Sequence, residues 1–166
     1  VNLGVAEKLV EYVLARLPQA PALNTLELYA GAGLFSLFLA ERSQELIAIE
    51  SSPSACYDFA NNLDAYDNVR LYEGPVEEVL PALIDDLPSL DLVLLDPPRA
   101  GLHPKAHESL EKLNSRQIIY VSCDPSTLAR DLKHLCEAGY QLTDVHLFDM
   151  FPQTYHMETV AILQRG

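Results

Sequence analysis

Apolar and polar residues alternate along the chain with two different periods. Residues 5–17 place apolar side chains four positions apart on one face, which predicts an amphipathic helix that ends at the prolines of 18–21. Short apolar runs follow and predict strands at 25–29, 45–50, 69–72, 91–95 and 117–122. Helical patterns lie between them near 34–41, 53–65, 76–84, 104–113 and 125–137.

Strands this apolar, separated by helices, are typical of a parallel sheet covered on both faces. Two further runs, 140–149 and 156–164, follow the last helix directly and predict a hairpin that places one antiparallel strand in the sheet. We therefore expect a seven-stranded, doubly wound α/β sandwich, Rossmann-like and mostly parallel. Ligands of such folds bind at the carboxyl ends of the strands.

Composition supports one folded domain over residues 1–166, with 1–23 as a leading helix and linker. The 166 residues are 49% apolar and 21% charged, which excludes a disordered or fibrous chain. No run of about 18 apolar residues and no signal-peptide pattern is present, so we expect no membrane segment. Three widely spaced cysteines without a CxxC pair suit a reducing, cytoplasmic compartment and exclude a zinc ribbon.

A glycine turn follows the first predicted strand. Gly31 and Gly33 allow a tight turn into a helix, and Glu50 closes the second strand, where a carboxylate can accept hydrogen bonds from both ribose hydroxyls. A dinucleotide fingerprint would have a third glycine where Ser36 stands. The pattern indicates a nucleoside site, with NAD and S-adenosylmethionine both open; a plain strand-to-helix turn is the structural alternative.

The fourth predicted strand ends in Asp96-Pro97-Pro98-Arg99. Two prolines make a stiff loop that holds a carboxylate and backbone carbonyls in positions where they can bind a planar base. Similar Asp-Pro-Pro loops occur in methyltransferases that act on amino groups of bases, but those continue with an aromatic residue. Arg99 stands there instead, which favours a different chemistry over a purely structural turn.

Cys123 ends the fifth predicted strand and precedes a helix, whose positive N-terminal potential favours the reactive thiolate. Its structural alternative is a core residue, and this is our interpretation of Cys56 and Cys136, which lie within helices as buried small hydrophobes. Glu158 precedes an apolar run in the final strand. Partial burial there would raise its carboxyl pKa and make it a usable proton acceptor, although a lone Glu is often structural.

Four segments together resemble the RNA uracil-5-methyltransferases that use S-adenosylmethionine. They are ELYAGAGLFSL (27–37), DPPRAG (96–101), YVSCDPSTLARDL (120–132) and DMFPQTYHMETV (149–160). The resemblance covers essentially the whole chain but only the catalytic domain of that family, which has the class I methyltransferase fold.

The resemblance implies a covalent mechanism. Cys123 attacks C6 of uracil, which activates C5 to take the methyl group, and Glu158 then removes the C5 proton before the thiolate leaves. The target base must be flipped out or already single-stranded.

The resemblance also assigns binding residues. Cofactor-binding positions are Tyr29, Gly31, Gly33, Glu50 and Asp96. Substrate-binding positions are Asp96, Pro97, Arg99 and His156. Glu27 stands where the family usually has Asp. No metal or iron–sulfur cluster is expected in this segment, since the four-cysteine motif of some members is absent.

The charge pattern bears on the expected RNA partner, a ribosomal or transfer RNA. A net charge of −13 argues against unaided, non-specific nucleic-acid binding. Residues 1–83 carry 4 basic and 12 acidic side chains, a net of −8, whereas residues 97–133 carry 6 basic and 4 acidic, a net of +2. We expect a local, weak RNA contact near the motifs of a monomer, with affinity supplied by the family's N-terminal RNA-binding domain.

Three other functions compete with a uracil-5-methyltransferase. An amino- or ring-methyltransferase would use Cys123 only structurally, and a nicotinamide dehydrogenase would bind NAD at the glycine turn. A cofactor-binding module inactive without its N-terminal domain is the non-enzymatic alternative.

Overall fold

A computed structural model describes residues 3–149 and 157–166. Its six helices, in chain order, are α1 (Leu3–Leu14), α2 (Leu34–Ala40), α3 (Pro53–Asn62), α4 (Val76–Leu83), α5 (Pro104–Leu113) and α6 (Pro125–Glu137). Its seven strands are β1 (Leu23–Leu28), β2 (Ser43–Glu50), β3 (Val69–Glu73), β4 (Leu92–Leu95), β5 (Gln117–Ser122), β6 (Tyr140–Asp149) and β7 (Met157–Arg165).

The seven strands form one sheet in the order β3-β2-β1-β4-β5-β7-β6. Strands β1 to β5 are mutually parallel, and β7 is antiparallel to both of its neighbours, β5 and β6. The predicted doubly wound α/β sandwich with an antiparallel strand near its C-terminus is confirmed. The structure adds that β7 lies between β5 and β6.

Each face of the sheet is covered by three helices, which explains why the central strands are apolar on both sides. Helices α1, α2 and α3 contribute Val13, Leu39 and Phe59 to the core on one face. Helices α4, α5 and α6 cover the other face with Leu80, Leu110 and Leu135 among their buried side chains. All four residues of β4 are buried.

Several predicted boundaries were wrong by up to three residues, and two of them have a clear physical cause. Helix α1 ends at Leu14 and not at residue 17, because Arg16 and Leu17 bond back to the carbonyls of Val13 and Leu14 in a tighter turn. Strand β1 ends before Tyr29, whose φ of 61° lies in the left-handed region and breaks the extended conformation.

The two cysteines within helices differ in their exposure. Cys56 is buried as predicted, but Cys136 is exposed, because it follows Leu135 on α6 and points away from the sheet side that Leu135 occupies. Within the described ranges, no helix is long and apolar enough to cross a membrane.

Candidate active site

The candidate site lies at the carboxyl edge of the sheet, around the ends of β1, β2, β4 and β5. Strand β1 pairs with β2 on one side and β4 on the other, so the strand order reverses between β1 and β4, which is where ligands of doubly wound folds bind. A cavity of about 580 Å³ opens there. Its lining residues are Tyr29, Glu50, Ser51, Pro75, Val76, Glu77, Asp96, Pro97 and Pro98.

The two glycines of the turn after β1 have different roles. Gly31 has φ +57°, and a Cβ placed on it would meet no other atom within 4 Å, so glycine keeps open the space above the turn. Gly33 has φ +89° and is buried, and a Cβ there would come within 2.7 Å of the Leu63 side chain. Gly33 therefore allows α2 to approach α3, and its contact with a cofactor stays a prediction.

Glu50 connects the ends of β1 and β2. One carboxylate oxygen accepts a hydrogen bond from the Gly31 N–H at 2.8 Å, and the other accepts from the N–H groups of Ser51 and Ser52 at 2.8 and 2.7 Å. The glycine turn is thus fixed to the carboxylate that the sequence assigns to ribose binding. A carboxylate has about four acceptor positions, so Glu50 can take further donors from a ligand.

Asp96 begins the loop after β4, and its own N–H donates to the Leu28 carbonyl. Surrounding protein atoms reduce the hydration of its carboxyl group and raise its pKa, and the negative charge of Glu158 raises it further. Since water still reaches the exposed residue, hydration limits the size of this shift. Pro97 is buried and Arg99 is exposed, so the loop is anchored at one proline and presents its arginine to solvent.

Strand pairing brings Cys123 and Glu158 to the same place. The last register pair of β5 and β7 is Ser122 with Thr159, and the next residues outward along the two strands are Cys123 and Glu158. Cys123 lies in the bend just beyond β5, so the register brings the backbone of these two residues to the same end of the strand pair. Cys123 is partly exposed, and the half-buried Glu158 has its pKa raised by burial.

The residues after Cys123 form a well-capped helix start. Asp124 is the N-cap of α6, and its carboxylate accepts hydrogen bonds from the N–H groups of Ser126 and Thr127. The Ser122 hydroxyl donates to the Asp124 carbonyl and accepts from the Asp124 N–H. The backbone on both sides of Cys123 is therefore fixed, and the thiol lies at the positive end of the helix.

A buried pair behind the site was missed by the sequence analysis. Glu27 is fully buried in β1 and accepts a hydrogen bond from the hydroxyl of Ser36, the residue that stands in place of a third glycine. Burial raises the pKa of Glu27 to about 8, and the charge of Asp96 adds to the rise while the Ser36 bond opposes it. The sequence signal was Ser36, which stands in place of a third glycine and follows the carboxylate residue Glu27 by nine positions.

Most of the predicted site residues lie together at this edge: Tyr29, Gly31, Glu50, Asp96, Pro97, Cys123 and Glu158. His156 lies outside the described residues, so its assignment stays a prediction. In the part of the chain that the structure describes, no three His, Cys, Asp or Glu side chains are grouped to hold a metal ion.

Comparison with protein families gives a match over the whole chain. The family described as tRNA (uracil-5-)-methyltransferase matches residues 1–166.

Curated relatives are much longer than this chain. An uncharacterised RNA methyltransferase of Streptomyces avermitilis is 43% identical over 162 residues, which are 96% of this chain and 37% of that protein. The 23S rRNA (uracil(1939)-C(5))-methyltransferase RlmD of Vibrio campbellii is 36% identical over 168 residues, which are 100% of this chain and 38% of that protein. The chain thus spans under two fifths of the length of these relatives.

Solved structures give the same fold. The tRNA (uracil-54, C5)-methyltransferase of Pyrococcus abyssi, in complex with S-adenosyl-L-homocysteine, has a TM-score of 0.80 at 33% identity, over 94% of this chain and 37% of that one. The N-methyltransferase NodS of Bradyrhizobium japonicum has a TM-score of 0.78 at 14% identity, over 97% of this chain and 87% of that one. At that identity NodS supports the fold alone.

Proposed function

The chain belongs to the tRNA (uracil-5-)-methyltransferase family, and on that premise we propose that it transfers the methyl group of S-adenosylmethionine to C5 of a uridine in RNA. The relatives named for their substrates act on ribosomal and transfer RNA, and both classes are candidates for this chain.

The cavity at the strand ends fits S-adenosylmethionine, which supplies an electrophilic methyl group from a positively charged sulfonium. Gly31 leaves open space above its turn, and Glu50 can accept hydrogen bonds from a ribose. Glu50, Glu77 and Asp96 make the lining acidic, which attracts a cation and repels the pyrophosphate of a dinucleotide. This charge favours S-adenosylmethionine over NAD.

The covalent chemistry belongs to Cys123 and Glu158. The Cys123 thiolate forms a bond to C6 of uracil, and the electron pair displaced from the C5–C6 bond makes C5 the nucleophile that accepts the methyl group. Glu158 then takes the proton from C5, the double bond re-forms, and the bond between sulfur and C6 breaks to regenerate the thiolate. Because burial raises the pKa of Glu158, its carboxylate is a better proton acceptor than an exposed glutamate.

The Asp-Pro-Pro loop is our proposed binding site for the base. Asp96 can accept a hydrogen bond from an N–H on the uracil edge, the buried Pro97 fixes the loop, and the exposed Arg99 can reach a phosphate. His156 is the fourth substrate residue of the proposal, from the sequence alone.

One observation carries the proposal most strongly. Ser122 pairs with Thr159, and the residues next to this pair are Cys123 and Glu158, which are far apart in the sequence; this supports their proposed roles as nucleophile and base. An amino-methyltransferase has no need for this arrangement, because an amine is already nucleophilic.

The experiment is adduct formation with RNA containing 5-fluorouridine. Fluorine at C5 cannot be removed as a proton, so the bond between Cys123 and C6 persists and protein and RNA migrate together on a denaturing gel. We expect the adduct with wild type and with Cys136→Ala, a matched change at the exposed cysteine, but not with Cys123→Ala. Absence of the adduct in wild type, with ribosomal and transfer RNA both supplied, would overturn the proposal. Full methylation by Cys123→Ala would favour an amino-methyltransferase instead.

A further inference from the structure

Helix α6 carries a buried carboxylate that the proposed mechanism does not use. Asp131 is fully buried and accepts hydrogen bonds from the Tyr120 hydroxyl at 2.6 Å, the Leu102 N–H at 2.8 Å and His107 Nε2 at 3.0 Å. The neighbouring Arg130 donates to it through Nε and Nη2, at 3.0 and 2.9 Å. Burial alone would raise the pKa of Asp131, but these hydrogen bonds together hold it below the usual value.

Arg130 and Asp131 hold the end of the Asp-Pro-Pro loop. Arg130 Nη2 donates to the Ala100 carbonyl at 2.8 Å, and Asp131 accepts from the Leu102 N–H two residues later. Between them Gly101 has φ +75°, and a Cβ there would lie 2.5 Å from Asp131 Oδ2 and 2.6 Å from Arg130 Nη2. The loop backbone therefore rests directly on this pair of side chains.

The same helix determines where Cys123 lies. Helix α6 starts at Pro125, immediately after its N-cap Asp124, and Asp131 follows about two helical turns beyond Cys123. Tyr120, on the strand that leads to Cys123, also donates to Asp131. The loop after β4 and the segment that contains the thiol are thus both connected to Asp131.

We propose that Arg130 and Asp131 are positioning residues that fix the Asp96–Arg99 segment relative to Cys123, and so fix the uracil base against the thiol. This inference rests on the proposed function, because it assigns the base to that loop. Neither residue takes part in a bond-making step. Their effect is on orientation, to which reactions between bound groups are very sensitive.

The glycine turn and Glu50, which form the ribose end of the proposed cofactor site, depend on other contacts. Glu50 holds the glycine turn through Gly31, Ser51 and Ser52, and none of these hydrogen bonds involves Arg130 or Asp131. A change at the pair should therefore slow attack by Cys123 more than it weakens cofactor binding. A loss of fold stability would reduce both the rate of attack and the affinity for the cofactor.

The test compares Arg130→Gln with Arg70→Gln in the full chain. Arg130 has a side chain 49% exposed, so its variant is expected to fold; Arg70 is 64% exposed and makes a surface ion pair with Glu45, which gives a matched control. We expect Arg130→Gln to form the 5-fluorouridine adduct about tenfold more slowly, with affinity for S-adenosylhomocysteine within about twofold of wild type. Arg130→Lys, which can still donate to the Ala100 carbonyl, should recover part of the rate. Asp131→Asn should act in the same direction and is interpreted only alongside a measured thermal unfolding curve.

Hydrogen exchange supplies a readout independent of catalysis. The non-proline amides within residues 96–102 should exchange faster in Arg130→Gln than in wild type or Arg70→Gln, since one anchor of the loop is lost. An adduct rate equal to wild type, or a rate loss matched by weaker cofactor binding, would overturn the inference. If wild type itself forms no adduct, the proposed function is wrong, and unchanged exchange in residues 96–102 would then refute the anchoring as well.

Discussion

The carboxyl groups of Asp96 and Glu158 lie near one another at the carboxyl edge of the sheet, and the negative charge of Glu158 raises the pKa of Asp96. Asp96 follows β4 and Glu158 lies in β7; these two strands flank β5, which ends one residue before Cys123. The two carboxyl groups therefore belong to segments on either side of the strand that leads to Cys123. In the proposed reaction one of them orients the base and the other removes a proton from it.

Glu158→Gln is expected to trap methylated RNA on the protein. An amide does not accept the C5 proton, so elimination of Cys123 is blocked after the methyl group has been transferred. The measurement follows a radiolabelled methyl group into a protein–RNA species on a denaturing gel. Glu137→Gln, at an exposed position on α6, is the control and should release product normally. Release by Glu158→Gln at the wild-type rate would show that another group is the base.

The rate at which methylated RNA is released from the protein should rise with pH above the ordinary carboxyl range. Glu158 acts as a base only when deprotonated, and burial raises its pKa, so the active fraction falls as the solution becomes more acidic. Asp96→Asn should leave the acid limb nearly in place, because the Glu158 charge raises the pKa of Asp96, whereas burial raises the pKa of Glu158. Single-turnover rates at saturating RNA from about pH 5 to about pH 8 measure both effects. An acid limb that moves to lower pH in Asp96→Asn would show instead that the charge of Asp96 raises the pKa of Glu158.

Glu50→Ala should weaken cofactor binding strongly. The substitution removes both the proposed ribose acceptor and the three backbone hydrogen bonds that hold the glycine turn. We expect affinity for S-adenosylhomocysteine to fall by about tenfold or more, measured by calorimetry. Glu45→Ala, on the same strand but paired with Arg70, should leave affinity unchanged. Wild type should bind NAD more weakly than S-adenosylhomocysteine, and the reverse order would favour a dehydrogenase.

Glu27→Gln should change how stability depends on pH. Burial raises the pKa of Glu27 from 4.5 to about 8 in the folded protein. Between these pH values the folded state holds a proton on Glu27 that the unfolded state has released. The contribution of Glu27 to the free energy of unfolding is therefore fully present below about pH 4.5 and is lost as the pH rises to about 8. Denaturant unfolding at several pH values should give a flatter profile for Glu27→Gln than for wild type. An unchanged slope would show that Glu27 does not hold this proton.

Much of the fold was predictable because it follows from periodicity in short segments. The apolar strand LVLL of β4 could only be a buried central strand, and it is. The helix α1 boundary was not predictable in the same way, because Leu17 continues the apolar spacing and is buried, although the helix ends at Leu14. Apolar spacing indicates which side of a helix faces the core, but it does not indicate where the helical hydrogen bonds end.

The candidate site was predictable only as far as its residues occur in recognisable segments. Cys123 and Glu158 were identified from their motifs, while the strand register that places them next to each other required the structure. Asp131 was within a quoted motif, yet its role depends on partners in β5, α5 and the loop after β4. Such a network joins side chains that are distant in sequence, and no local pattern encodes it.

The insertion of β7 between β5 and β6 has a consequence for synthesis of the protein. While the ribosome is still translating residues 157–165, β6 has been made but lacks β7, its neighbour in the sheet, and Cys123 has no adjoining Glu158. The nascent chain therefore exposes an unpaired strand edge and a thiol without its proton acceptor until that segment leaves the ribosome. In the proposed mechanism, Cys123 therefore gains its proton acceptor only when β7 joins the sheet.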